Sequence, residues 1–265
     1  MTSDTVILEA RDLQKRFGAV VAAQDINVKV ASGEKLSLIG ANGAGKTTFM
    51  NMVTGYLKPD SGAILLEGGD VTKLNPRQIT QRGVCRSFQI PQLYEPMTAL
   101  ENVMVAIGAS GRRFSFFQPA DLNETVEQAR AMLKRFALDP YAHRPVSELP
   151  GGVRKLLDIA MALVRNPKIL LLDEPTSGVS VDEKFPLMET VMEALAAEAV
   201  TVIFVEHDMD IVTRYSDRVL AFYQGQVIAD DDPSEVLSDP AVQKYVTGTA
   251  GPATAPAGAE KEAEA

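Results

Sequence analysis

Apolar and polar residues follow three distinct rhythms along the chain, and each predicts a different element. Ile26-Asn-Val-Lys-Val30 alternates strictly, as a strand with one wet face must, and Val6-Ile-Leu-Glu-Ala10 is its expected antiparallel partner. Ala63 to Leu66, bracketed by Ser61-Gly62 and Gly68-Gly69, extends that antiparallel layer. Ile169 to Leu172 and Val200 to Val205 are near-continuous apolar runs, short enough to be parallel strands buried on both faces, and Lys35 to Ile39 reads as a strand running into a Gly-rich loop. Val84 to Phe88 reads as another strand. Helices are expected at Thr47 to Gly55, Asn75 to Gln81, Pro186 to Glu198 and Asp210 to Tyr215. Asp121 to Phe136 carries Val126, Ala129, Met132, Leu133 and Phe136 at helical spacing, and Thr98-Ala-Leu-Glu101 is a capping box opening a further helix. Gly108 to Pro119 reads as a loop between them. Val219 to Tyr223 and Gln226 to Ala229, joined by Gln224-Gly225, form a closing hairpin.

These elements compose an α/β plan: a parallel-sheet core, an antiparallel β layer near the N-terminus, and a mostly helical insertion from about residue 91 to 165. The expected domain spans residues 1–248. Residues 249–265 are Ala, Gly, Pro and Glu with little large apolar material, which predicts a disordered acidic tail.

Composition narrows the function classes. With 46% hydrophobic residues among 265, there is material for a substantial core. No run of about 18 apolar residues is present to span a bilayer, and the start lacks the pattern of a secretory signal. A lone cysteine, Cys85, excludes internal disulfides and cysteine-rich metal sites. A cytosolic location is the expectation, free or attached to a membrane partner. The net charge of -9 and the lack of a basic stripe argue against nucleic acid as a partner.

The chemistry concentrates in Gly40-Ala41-Asn42-Gly43-Ala44-Gly45-Lys46-Thr47-Thr48. Gly, four residues, then Gly-Lys-Thr is a phosphate-binding loop. Its glycines let successive N–H groups turn toward phosphate oxygens, and the helix N-terminus adds a positive dipole end. Lys46 is expected on the β- and γ-phosphates and the Thr47 hydroxyl on Mg²⁺. Ile169-Leu-Leu-Leu172-Asp173-Glu174 ends a buried strand in two carboxylates. Asp173 suits Mg²⁺ held through water, and Glu174 suits a general base for an attacking water. Together the two motifs predict ATP hydrolysis with ATP and Mg²⁺ as ligands.

Three further segments, Arg86-Ser-Phe-Gln89, Leu149-Pro-Gly151-Gly152-Val-Arg-Lys155 and Val205-Glu206-His207-Asp208, complete an ordered set. This order resembles the ATPase subunits of ABC transporters: Walker A, Q-loop, signature, Walker B, D-loop and H-loop, over about Val6 to Gly248. The resemblance implies an ABC ATPase cassette with the P-loop NTPase fold. It implies that Gln89 links the metal and the attacking water to the helical insertion. His207 would orient that water and Glu174, and Phe17 in Lys15-Arg-Phe17-Gly18 would stack on adenine. Gly151 and Gly152 would offer backbone donors to a nucleotide on a second ATPase subunit. By contrast, His143 is expected to be a surface residue.

A closer likeness is to the branched-chain amino-acid importer group. It rests on Lys15-Arg-Phe-Gly18, Thr48-Phe-Met-Asn51, Arg86-Ser-Phe-Gln89, Glu206-His-Asp-Met209, Pro233-Ser-Glu-Val236 and Asp239-Pro-Ala-Val242. What it implies is a motor on the cytoplasmic face of the inner membrane. The motor would be peripheral through permease subunits, with a periplasmic binding protein reached through the permease. Gln92-Leu-Tyr94-Glu-Pro-Met97 is where permease coupling would occur. Export-type ATPases share several of these pieces, and a regulatory ATP binder is the non-transport alternative.

The chain departs from the family pattern at two places. Pro150 stands where the signature has serine, and Val153 where it has glutamine. A hydrogen bond to a charged group contributes roughly 1.5–3 kcal/mol, and Pro150 supplies no donor. Ser180, in Ser177-Gly-Val179-Ser180, replaces the usual D-loop Asp or Asn. Signature and D-loop act on the partner's nucleotide, whereas Lys46, Thr47, Gln89, Asp173, Glu174 and His207 serve the chain's own. A heterodimer with a different ATPase subunit is therefore expected over a homodimer that tolerates Pro150.

Overall fold

Parallel strand pairing brings together segments that the chain keeps far apart. The computed structural model describes residues 5–110, 122–196 and 199–248. The expected tail at 249–265 and most of the Gly108–Pro119 loop lie outside them. In chain order the main elements are β1 (Val6–Phe17), β2 (Val20–Ala31), β3 (Lys35–Ile39), α1 (Lys46–Val53), β4 (Ser61–Leu66), β5 (Gly69–Asp70), α2 (Pro76–Gln81) and β6 (Val84–Ser87). There follow α3 (Ala99–Ala109), α4 (Leu122–Arg135), α5 (Gly151–Leu163), β7 (Ile169–Asp173), α6 (Val181–Ala196), β8 (Thr201–Val205), α7 (Met209–Tyr215), β9 (Arg218–Tyr223), β10 (Gln226–Asp231) and α8 (Pro233–Ser238).

A six-stranded sheet has the order β10-β9-β3-β8-β7-β6, parallel except for the edge hairpin β9–β10. An antiparallel sheet, β2-β1-β4-β5, packs against it. The apolar runs divide their side chains between two cores. Leu170, Leu172, Val202 and Phe204 face the helices α3 to α6, while Ile169, Leu171, Ile203 and Val205 face α1 and the antiparallel layer. That two-sided burial is why these strands show no polar alternation. Asn75 and Thr98 each close a capping box, so α2 and α3 start where sequence reading puts them.

Several boundaries differ from expectation. The first hairpin is much longer, because Asp12 and Asp25 adopt left-handed backbone at irregular pairings that break the alternation. Asp12 and Asn27 bridge the irregularity: the Asp12 N–H donates to Asn27 Oδ1 at 2.9 Å, and Asn27 Nδ2 donates back to Asp12 Oδ1 at 3.0 Å. Phe17 thus ends a strand. Helix α3 runs on to Ala109, into the expected loop. Helix α6 begins at Val181, so Pro186 lies inside it and not at its first turn; the Ser180 carbonyl accepts the Glu183 and Lys184 N–H groups and starts it earlier.

Candidate functional site

Because β3, β8, β7 and β6 are parallel neighbours, their C-terminal ends share one edge of the sheet. Each end carries one predicted motif: Gly40 after β3, Glu206 and His207 after β8, Asp173 and Glu174 at β7, and Gln89 just beyond β6. The carboxyl edge of such a sheet is the usual ligand crevice of open α/β folds.

The phosphate loop is shaped by glycines that nothing else could replace. Gly40 has φ 148°, and a Cβ there would lie 2.5 Å from the Phe222 carbonyl oxygen; Gly45 has φ 114°, and a Cβ would lie 2.7 Å from that of Ala22. Ala41, Asn42 and Gly43 form the exposed crest, with Ala44 and Gly45 buried beneath it. The Ala44 N–H donates to the Ala41 carbonyl at 3.1 Å, closing the turn. The first N–H groups of α1, at Lys46, Thr47 and Thr48, have no partner within their helix and open an anion-binding N-terminus. Lys46 is only 5% exposed and donates to the Gly40 and Ala41 carbonyls at 2.5 and 3.2 Å. Burial pulls its pKa down, and the nearby Glu174 and Asp173 pull the other way. The Gly45–Ala22 contact seats β2 against the loop, and the same hairpin carries exposed Phe17, with the Lys15 ammonium 5.7 Å from its ring centroid.

Glu174 is bracketed. Gln89 Nε2 donates to its Oε2 at 2.8 Å, and His207 Nε2 lies 3.0 Å from its Oε1. An ionised carboxylate only accepts, so with Glu174 ionised His207 carries its proton on Nε2. Glu174 itself has φ 49°, a left-handed turn that ends β7 and aims the side chain into this bracket. Asp173 pairs with Arg86, Nη2 to Oδ2 at 2.5 Å.

The site fits a P-loop metal better than an all-protein cage. Among the described residues no cluster of three or more His, Cys, Asp or Glu could hold a metal. Mg²⁺ characteristically keeps its waters and takes one or two side chains plus nucleotide oxygens. The exposed Thr47 hydroxyl and the second Asp173 oxygen are the side-chain groups that could serve such an ion.

Gly151 and Gly152 are grouped elsewhere. A Cβ on Gly151 would sit 3.9 Å from the Gly178 carbonyl oxygen, and one on Gly152 3.8 Å from Val179 Cγ1. Pro150 and Ser180 therefore flank one surface, formed by the start of α5 and the turn before α6. The Ser180 hydroxyl is taken by Glu183, at 2.8 Å. His143 is exposed, near Arg130.

Four residues of the site escaped sequence reading. Buried Glu206 accepts the Thr176 N–H and hydroxyl at 2.9 and 2.8 Å, and the His207 N–H at 3.2 Å. Buried Asp158 accepts the Ser87 hydroxyl at 2.6 Å and the Gln92 and Phe88 N–H groups at 3.0 and 3.3 Å. Burial raises its pKa, and those donors with Lys155 counteract. Lys155 and Arg86 complete the set. The only sequence signal was their charge inside otherwise apolar elements.

Residues 23–177 match the ABC transporter family model. A high-affinity branched-chain amino acid transport ATP-binding protein of Pseudomonas aeruginosa is 36% identical over 251 residues, covering 92% of this chain and 98% of that protein. A probable branched-chain amino acid transport ATP-binding protein of Archaeoglobus fulgidus is 35% identical over 246 residues, covering 91% and 95%. Among solved structures, the ADP conformation of an ATP-binding cassette of an ABC transporter superposes with a TM-score of 0.81 at 34% identity, covering 90% and 97%.

Proposed function

The chain belongs to the ABC transporter family of ATP-binding ATPases, and from that membership we propose that it powers an importer of branched-chain amino acids or similar small polar solutes. The observation that carries the motor reading is the bracketing of Glu174 by Gln89 and His207 beside the phosphate loop. The substrate class is supported by the names of its relatives, branched-chain amino acid transport ATP-binding proteins, which match along nearly the whole chain.

In this reading the N–H groups of residues 42, 43 and 45–48, Lys46 and Phe17 grip ATP. Thr47 and Asp173 would hold Mg²⁺, which supplies charge neutralisation on the phosphate oxygens. Glu174 takes a proton from the attacking water as the water approaches the γ-phosphate. Gln89 and His207 keep the carboxylate from rotating away. No described helix is long and apolar enough to cross a membrane; in the transporter reading, force passes to separate permease subunits on the cytoplasmic face. Exposed Tyr56, Ile90 and Tyr94 lie on or beside the Gln89 segment, with Tyr56 edge-on to Phe88 at 6.0 Å, and they form an apolar surface suited to that contact.

The companion ATPase subunit is a different chain. Pro150 and Ser180 weaken the same face, the one offered to the opposite nucleotide, while every group serving this chain's own nucleotide is retained.

Glu174→Gln should retain nucleotide binding but lower turnover by about 10²–10⁴-fold, and Lys46→Ala should lose nucleotide binding. Uptake of labelled leucine by vesicles carrying the whole transporter should fall with both. Normal uptake with Glu174→Gln would overturn the motor reading, and ATP turnover without leucine uptake would overturn the substrate class.

A further inference from the structure

Lys155 is 5% exposed, yet it carries an ammonium into the interior from the second turn of α5. Its Nζ donates to the Gln89 carbonyl at 2.5 Å and to the Glu174 carbonyl at 3.3 Å. From α5, no other described side chain bonds the backbone of both residues. Asp158, three residues on and hence on the same helix face, accepts from Ser87, Phe88 and Gln92 on either side of Gln89. The pair therefore fixes the Gln89 segment at both ends. Lys155 alone extends the connection to Glu174.

A buried ammonium is costly unless it is paired and hydrogen-bonded. Here Asp158, Glu174, Glu206 and Asp173 surround it electrostatically. Leu157, Ile159 and Ala160, beside it on α5, are buried apolar residues, so burial alone would favour an apolar side chain at 155. Its hydrogen bonds go to two carbonyls, those of Gln89 and Glu174.

We propose that Lys155 is a positioning residue for ATP hydrolysis: it ties the backbone of Gln89 and Glu174 to the signature helix, holding the amide and the carboxylate in register. This inference rests on the reading of Glu174 as the base. Because Gly151 opens the same helix one turn earlier, a displacement of α5 by the partner's nucleotide would reach the Glu174 backbone directly through this side chain.

The test uses the full chain with its companion subunit and compares Lys155→Met, Lys155→Arg and Glu174→Gln. Turnover, KM for ATP and affinity for a fluorescent ATP analogue are measured for each. Lys155→Met should lower kcat by about 10–100-fold with KM and analogue affinity within twofold of the parent, and Lys155→Arg should restore most of kcat. A Lys155→Met enzyme with parental kcat, beside an inactive Glu174→Gln, would overturn the positioning role and leave the base intact. An active Glu174→Gln would instead remove the base reading and this inference with it. Parallel losses of kcat and affinity, or no rescue by Arg, would assign Lys155 to stability alone and overturn the proposal. Should Lys155→Met not fold, Lys155→Gln, which keeps a donor and drops the charge, serves under the same criteria. Failure of both to fold would likewise overturn it.

Discussion

Arg86 and Asp173 form an ion pair inside the site, Nη2 to Oδ2 at 2.5 Å, with their side chains only 7% and 11% exposed. The other terminal nitrogen of Arg86 donates to Asn51 Oδ1 on α1 at 2.6 Å. One guanidinium thus joins three motifs: the strand leading to Gln89, the carboxylate that ends β7, and the helix of the phosphate loop. Its planar fork suits this role, since one donor pair can face each partner.

Arg86→Met should therefore be costly. Removing one member of a buried pair leaves the other charge uncompensated, a loss of about 3–5 kcal/mol. Urea unfolding without nucleotide would register it. Coupling should also appear in a cycle with Asp173→Asn: the double variant should lose less than the two single losses added together. Strict additivity would show that the pair carries no energy.

Gly40→Ala and Gly45→Ala are predicted to damage the phosphate loop by different contacts. Both positions have strongly positive φ, and an added Cβ would strike the carbonyl of Phe222 or Ala22. Each change should cost on the order of 1–3 kcal/mol and weaken nucleotide binding. Gly43→Ala is the control, since a Cβ there meets nothing within 4 Å, although its φ of 81° still disfavours alanine. Calorimetric titration with ATP should rank Gly43→Ala as the mildest.

Cys85 gives a clean chemical probe because it is the only cysteine. Burial in β6 pushes its thiol up to about 11, so at pH 8 only about one molecule in a thousand would carry the thiolate. A disulfide reagent that colours on reaction should leave the folded protein untouched and react with one equivalent in urea. Rapid reaction of the native protein would contradict the packing of β6 against α5.

The asymmetric assembly has its own test. With the companion subunit present, Glu174→Gln here should reduce ATP turnover more than the matching change in the companion. In the proposed heterodimer only this chain's nucleotide would meet a complete signature. Equal reductions would exclude the asymmetric arrangement.

Much of this was legible in local chemistry. The phosphate loop is contiguous, and its glycines announce a backbone path that other residues cannot follow. The apolar runs ending in Asp173 and Glu206 revealed parallel strands, because burial on both faces removes alternation. The capping box at Thr98 placed a helix start, since its bonds form within a single turn. What the tertiary structure alone decided is which distant groups meet. Gln89 and His207 converge on Glu174 because their strands are parallel neighbours, a matter of sheet order invisible in any local window. Lys155 and Asp158 stand out in the sequence only as charges in a largely apolar helix, and both are buried. Their partners come from the Gln89 and Glu174 segments, distant in the chain, and only packing could supply them.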